Sequence, residues 1–416
     1  MNVARKWTIM AILCLAGAVI YILPFLREVY YFPLQLALHL SNMQLGVLMA
    51  TFGIGSFATY APGGWLADRV APRLLISVAL LATGGAGFLF ATFPSYPVAI
   101  AIHAFWGVSI TGVFWAAMIR GTRDWAPAEE QGRAFGILEA GRGVSEAAIG
   151  SAFLAIFAWR GASSAAFADI IIGFSALNIA LAIGAFVLLK DDAPGAHKRS
   201  SAPRLSEVAL VLASPAVWLI AIVVLAGYSA YWGSYYFTPH ATDVFALSIV
   251  VGGAIGAGKV WLKPIGALIA GFVGDRVGVS SSVTACFALL IACFVFLAFL
   301  PGQARFAPAL MAAIVLGSLV IFALRGIYFA LLEEGGVPRA LTGMATGIVS
   351  LIGFTPDVFM PLLGGALLDA YPGAEGYRYF FLIIAAICAA GLAASATILL
   401  LRRRSRIAAA YQAASP

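Results

Sequence analysis

Gly64-Trp65-Leu66-Ala67-Asp68-Arg69-Val70 and, 207 residues further on, Gly271-Phe272-Val273-Gly274-Asp275-Arg276-Val277 are two spellings of one turn. Each follows an apolar run long enough to cross a bilayer and carries an Asp-Arg pair at its end. Other landmarks recur at nearly the same interval. Tyr30-Tyr31-Phe32-Pro33 returns as Tyr235-Tyr236-Phe237-Thr238-Pro239 and Arg120-Gly121 as Arg325-Gly326, both at an offset of 205. Gly132-Arg133-Ala134-Phe135-Gly136 returns as Gly343-Met344-Ala345-Thr346-Gly347 at 211. Four landmarks in one order at nearly one offset describe a chain built from two related halves. The local offset of 211 also carries Glu146 onto Asp357, so an acid stands at the matched depth of each half.

Composition says which solvent these halves meet. Of the 416 residues, 62% are hydrophobic and 10% charged, whereas a soluble domain carries roughly 25% charged residues. Most of the surface must therefore face lipid. A spanning helix needs about 20 apolar residues, and such runs fall at 8–32, 43–66, 74–93, 97–121, 133–157, 166–189, 213–237, 247–272, 280–300, 307–331, 341–364 and 378–401. The pattern predicts an all-α polytopic membrane protein of twelve spans: a six-helix bundle over 1–189, a polar Pro- and Ser-bearing linker over 190–212, and a second bundle with a short basic tail over 213–416. The first run continues past Leu23 without a small-residue cleavage site, so it reads as span 1 and not as a signal peptide. Cys14, Cys286, Cys293 and Cys388 all lie in apolar runs without metal-ligand spacing. They read as small buried hydrophobes, and no metal or cofactor is expected.

The formal net charge is +7. In a soluble protein that would suit nucleic acid, but no basic stretch here is long enough to form a soluble binding domain. In a membrane protein Lys and Arg collect on the cytoplasmic side. With the N-terminus inside, sixteen of the 25 basic residues fall in cytoplasmic segments: Arg5, Lys6, Arg69, Arg73, Arg123, Arg133, Lys190, Lys198, Arg199, Arg204, Arg276, Arg339, Arg402, Arg403, Arg404 and Arg406. Only Arg160, Arg305 and Arg378 fall outside, which predicts both termini in the cytoplasm. Six remain within or at the ends of spans: Arg27, Arg120, Arg142, Lys259, Lys263 and Arg325.

With the duplicated turn in view, Gly64 to Arg73 resembles the signature loop of the major facilitator superfamily, and Gly271 to Gly278 stands where that superfamily repeats it. The resemblance extends over essentially the whole chain. It implies two pseudo-symmetric six-helix bundles, secondary transport of a small molecule by alternating access across a bacterial-type inner membrane, and a functional monomer. Ala71-Pro72 replaces the usual glycine after the first Asp-Arg pair, whereas Gly278 keeps it after the second. Gly143 to Gly150 in span 5 lacks the Gly-Pro signature of the family's proton-antiporting drug exporters. The basic, acid-paired interior is more similar to the branch that moves sugar phosphates, sugar acids and other organic anions.

A charge near the bilayer centre costs at least about 2.5–3.5 kcal/mol on insertion scales, so one that persists faces a cavity or a partner. Six interior bases stand against Glu28, Glu139, Glu146 and Asp357, an excess of two positive charges that favours an anionic ligand. In span 5, Glu139, Arg142 and Glu146 share one helix face. They form either an ionic ladder for packing or a switch in which ligand competes for Arg142 and releases Glu146 for protons. Lys259 and Lys263 in span 8 flank Trp261 with no charged counterparts in span 2, which points to Lys259 as an anion contact. Lys263 is expected to pair with Asp357 or to line the cytoplasmic path. Arg325, about two turns before the end of its span, is expected to bind substrate or gate, and Arg120, close to the cytoplasmic end of span 4, is either a substrate contact or a snorkelling residue.

Tyr228, Tyr231 and Tyr235 occupy one face of span 7, as substrate contacts or as part of an interfacial belt, and Tyr31 in span 1 is a further candidate substrate contact. The expected proton sites are Glu146, Asp357 and Glu139. The expected gating residues are Asp68, Arg69 and Arg73 in the first loop, Asp275 and Arg276 in the second, and Arg27 and Glu28 in the outer part of span 1. His103 and His240 read as packing residues. No Gly-x-x-x-x-Gly-Lys-Ser/Thr loop is present, so ATP-driven pumping is not expected. Two alternatives remain: a proton-coupled exporter of amphiphilic or drug-like compounds, and a receptor on a transporter fold.

Overall fold

The computed structural model describes residues 3–127, 130–189, 205–338 and 341–414. Most of the expected linker, with Lys190, Lys198, Arg199 and Arg204, therefore lies outside the described residues, as does Arg339. Among the described residues ten helical runs are long and apolar enough to cross a bilayer. Two more complete the twelve spans. Asn42–Ala67 has 26 residues. Gln131–Trp159 has 29 residues and carries Arg133, Glu139, Arg142 and Glu146, so its length spans while its composition does not advertise it.

The helix boundaries have local causes. Ser41 and Gln44 form a reciprocal capping box at the start of span 2, and the Ser163 and Ser248 side chains accept the first free N–H groups of their helices. Proline occupies a first-turn position at the start of spans 3, 4, 7 and 10, where its missing N–H costs nothing. Span 4 changes register through a π-helical turn, Val108–Trp115. The last helix runs unbroken over Ala374–Ala414, so the basic stretch after span 12 continues it as helix.

Span 1 is not the single run 8–32 that its hydropathy suggests. The helix Val3–Ile22 stops, a 3-10 turn Leu26–Glu28 follows, and the chain resumes as the short helix Tyr31–Leu38. Span 7 breaks in the same way, with Pro215–Ser234 followed by Phe237–Asp243. The short helices end alike, in left-handed residues His39 (φ 53°) and Ala246 (φ 52°), 207 positions apart. Ala162 (φ 52°) and Gly373 (φ 77°), 211 apart, mark the ends of spans 5 and 11. The repeat read from side chains is thus also written in the backbone. One landmark shifts: Arg120 lies 23 residues beyond Pro97 at the start of its helix, whereas Arg325 lies only 17 beyond Pro308. The two arginines do not stand at the same depth.

Packing groups the chain into two compact units. The first holds Met1–Ser200 with Thr238–Trp261 and Pro361–Asp369; the second holds Ser201–Phe237, Leu262–Met360 and Ala370–Pro416. In the first unit, the N-terminus of span 2 is capped by Asp369, whose carboxylate accepts from the Asn42 and Met43 backbone N–H groups at 3.0 and 2.8 Å and from Asn42 Nδ2 at 2.9 Å. The approach is close enough that a Cβ at Gly46 would fall on the Pro361 carbonyl oxygen, and one at Gly365 on that of Asn42. In the second unit, Glu334 accepts from the Val279 and Ser280 N–H groups at 2.9 Å each and pairs with Arg402, fixing the start of span 9 after the second Asp-Arg turn.

Candidate functional site

In the second unit, span 7 presents Tyr228, Tyr231 and Tyr235 on one face, as the three-and-four spacing requires. The Tyr231 and Tyr235 hydroxyls are 3.0 Å apart. The Arg325 guanidinium lies 3.8 Å from the Tyr231 ring centre and 5.4 Å from that of Tyr228, and the Tyr231 and Tyr328 hydroxyls are within its hydrogen-bonding reach. A planar cation held over aromatic faces keeps its N–H edge available for a planar anion. Asp357 stands beside this group. Span 11 breaks at Phe354 and Thr355 and restarts as Pro356–Ala370, which places Asp357 in the first turn of a new helix. Its Oδ1 accepts from the indole N–H of buried Trp232 at 2.9 Å, and Tyr228 and Arg325 are its polar neighbours. Trp232 in turn stacks on Tyr235, with centroids 4.8 Å apart. Trp232 was not among the residues expected here; its place between Tyr228 and Tyr235 on the same helix was the available signal.

In the first unit, Arg142 bonds Glu139 at 2.6 Å and donates through Nε to the Gly17 carbonyl at 3.1 Å. Its guanidinium lies 5.7 Å from the Tyr21 ring and 5.4 Å from the Trp115 ring. One arm of the expected ladder is therefore made. Glu146 lies half-buried one turn further along the same helix.

Lys259 is paired with an acid: its Nζ lies 2.8 Å from Glu28 Oε1, with side-chain exposures of 1% and 10%. The acid is far away in sequence and sits in the 3-10 turn that interrupts span 1, which hydropathy reads as continuous helix. Arg27 and Glu28 are buried; the Arg27 guanidinium lies 5.3 Å from the Tyr31 ring. Tyr31 is buried as well, and its hydroxyl donates to Asn42 Oδ1 at 2.7 Å. The turn at Trp261 separates Lys259, at the end of Ile249–Val260, from half-buried Lys263 at the start of Leu262–Val277.

Arg120 reaches back to the first Asp-Arg turn. Its Nη1 donates to the Ala67 carbonyl and, at 3.4 Å, to that of Val70, closing the C-terminus of span 2. Asp124 lies 3.8 Å from its Nε, and counting that acid reduces the interior excess from two positive charges to one. Asp68 and Arg69 are exposed, and Arg69 folds over Trp65, 4.1 Å from its ring, while bonding the Trp65 carbonyl. Arg73 lies 4.9 Å from the Phe186 ring. Asp275 and Arg276 are exposed at the matching turn. His103 is buried against Phe90 and Trp106, with Nδ1 2.9 Å from the Ala99 carbonyl.

Comparison with known proteins agrees with this architecture. Residues 7–355 match the family model described as Major Facilitator Superfamily. The chain is 31% identical over 384 residues to the inner membrane protein YihN of Escherichia coli (strain K12), covering 91% of each chain. A shorter stretch of 218 residues, 50% of this chain and 46% of the relative, is 26% identical to a probable sulfoacetate transporter, SauU, of Cupriavidus necator. Among solved structures, a bacterial homologue of the human lysosomal transporter Spinster superposes with a TM-score of 0.75 at 15% identity, over 96% of this chain and 98% of that one.

Proposed function

Since the chain belongs to the Major Facilitator Superfamily and is a multi-pass inner-membrane transporter, we propose that it moves a small organic anion by alternating access, in symport with protons. The observation that carries the anion is Arg325, stacked on Tyr231 and partly accessible within its span. Its planar fork suits a carboxylate, sulfonate or phosphate, which it would engage in a bidentate manner. Tyr228, Tyr231 and Tyr235 supply hydroxyls for the rest of the substrate. The partial likeness to a sulfoacetate transporter supports the same charge class. Asp357, bonded by Trp232 and neighboured by Tyr228 and Arg325, is the proposed proton site of this unit: an anion on Arg325 weakens its hold on Asp357 and favours protonation of the acid. Both termini are placed in the cytoplasm on the distribution of basic residues, and one chain is taken as the functional unit.

The test is uptake into proteoliposomes of a panel holding sulfoacetate, sugar acids, sugar phosphates and simple carboxylates, with and without an inward proton gradient. Gradient-driven accumulation of at least one anion, abolished by Arg325→Ala, is the expected result. Accumulation of none overturns the proposal. The dense aromatic face of span 7 favours a second reading, export of amphiphilic compounds, and proton-driven extrusion of such compounds with no anion uptake would replace the first.

A further inference from the structure

The Glu28–Lys259 pair lies where segments distant in sequence are pressed together within one compact unit. Helix Ile249–Val260 meets the Leu26–Glu28 turn so closely that a Cβ at Gly256 would fall on the Glu28 carbonyl oxygen, and one at Gly253 would lie 3.0 Å from that of Val29. The Thr238 hydroxyl donates to the Glu28 carbonyl at 2.9 Å. Backbone, hydroxyl and ion pair thus fasten one short helix pair, Phe237–Asp243 and Ile249–Val260, to one turn. Removing either charge of a dry ion pair leaves the other uncompensated, which is strongly unfavourable. A latch held this way would stay shut unless a replacement partner stood ready. Glu146 on span 5 is that partner: span 5 packs along this helix, with a Leu154 methyl 3.0 Å from a Cβ placed at Gly253 and the Trp261 indole N–H donating to Ser151 Oγ at 3.2 Å, and Glu146 lies on the same span, five residues before Ser151.

We infer that Glu28, Lys259 and Glu146 form a relay in which a proton taken up by Glu28 transfers the lysine to Glu146 and unlatches helix Ile249–Val260 from the Leu26–Glu28 turn. This rests on the proton-coupled reading above and adds to it a site in the first unit. The proton comes from the adjoining aqueous phase and binds Glu28 Oε1. The Nζ–H···Oε1 bond to Lys259 breaks, the lysine keeps its three protons, and its charge is met by the Glu146 carboxylate. When the helix returns, Lys259 again competes for Glu28, and the proton leaves to water. Lysine suits this role because a compact ammonium on a four-carbon stem can swing between two acceptors. The other titratable groups on the elements packed around Glu28 are Arg27 in its own turn, Tyr31 on the next short helix, and His240 and Asp243 beside Thr238. On span 5, Arg142 and Glu139 are engaged with each other.

The experiment joins a conformational readout to transport, using the full chain in proteoliposomes. Spin labels at the exposed positions Leu36, on helix Tyr31–Leu38, and Val251, on helix Ile249–Val260, report the latch as a distance distribution. Lowering the pH is expected to add a longer-distance population in the otherwise native chain. Glu28→Gln should remove that pH response and, with it, the dependence of uptake on the proton gradient. Glu146→Gln should suppress the longer population at low pH, because the lysine then has no second partner. If Glu28→Gln does not fold, the uncharged pair Glu28→Gln with Lys259→Met serves in its place and should also be pH-insensitive. A distance distribution that titrates in these variants as in the native chain, or that does not titrate in the native chain, overturns the relay. Titration abolished by Glu28→Gln, together with uptake indifferent to a proton gradient, upholds the relay and sinks proton-driven symport instead.

Discussion

Arg325→Lys separates charge from geometry at the proposed anion site. The variant keeps a positive charge at the same place but loses the planar fork. The wild-type guanidinium lies 3.8 Å from one tyrosine ring and 5.4 Å from another, both inside the range of a cation–π contact. Such contacts contribute about 0.5–2 kcal/mol when partly desolvated, and an ammonium keeps part of that. The neighbouring Tyr231 and Tyr328 hydroxyls would add about 1 kcal/mol each at most as partners of the guanidinium, once exchange with water is counted. A total loss of roughly 1–3 kcal/mol corresponds to a rise of about 5- to 150-fold in the half-saturating concentration for anion uptake. The assay is the initial rate of uptake into proteoliposomes against substrate concentration for wild type, Arg325→Lys and Arg325→Ala. Simple charge attraction would leave the lysine variant within about threefold of wild type. That outcome, with the alanine variant inactive, would refute the stacked-guanidinium argument; full activity in both would remove Arg325 from the anion's path.

Trp232→Phe deletes the indole donor to Asp357 at 2.9 Å and should cost about 1–3 kcal/mol, read as a lower thermal midpoint in detergent together with weakened uptake. Glu334→Gln loses the charge that Arg402 and the Val279 and Ser280 N–H groups share; a decrease of about 0.5–2 kcal/mol is expected, smaller at high salt, and an unchanged thermal midpoint at low salt would contradict the capping role. Gly46→Ala places a methyl on the Pro361 carbonyl oxygen and should cost about 1–3 kcal/mol through overpacking, seen as faster thermal inactivation, whereas a neutral effect would mean the seam yields there.

Much of the architecture was legible because bilayer thickness imposes its own period on the chain. Runs of about 20 apolar residues stand out whatever their neighbours do, and a duplicated Asp-Arg turn marks the two halves without any knowledge of contacts. The limits were local. The break after Ile22 is invisible to hydropathy because the interrupting residues, Leu23 to Tyr30, stay largely apolar. That break hid Glu28 inside a supposed helix and so concealed the partner of Lys259. Spacing rules succeed only within one helix: they found Glu139 with Arg142 and aligned the three tyrosines of span 7. They have no access to pairs such as Trp232 and Asp357, set 125 positions apart. Arg120 and Arg325 form a sequence match whose members sit at different depths, as their places within the apolar runs already indicate, because one helix is longer before its arginine than the other.

The final helix, Ala374–Ala414, has 41 residues, about 62 Å of rise, while the hydrocarbon it crosses is about 30 Å thick. The stretch after residue 401 therefore carries the helix about 20 Å past the end of span 12. A rod of this kind is a lever. If span 12 tilts by only ~5° about the bilayer midplane, a fluorophore near Ala414 is carried roughly 3 Å, a displacement that energy transfer to a fixed acceptor resolves more readily than the motion of any side chain buried within the bundle.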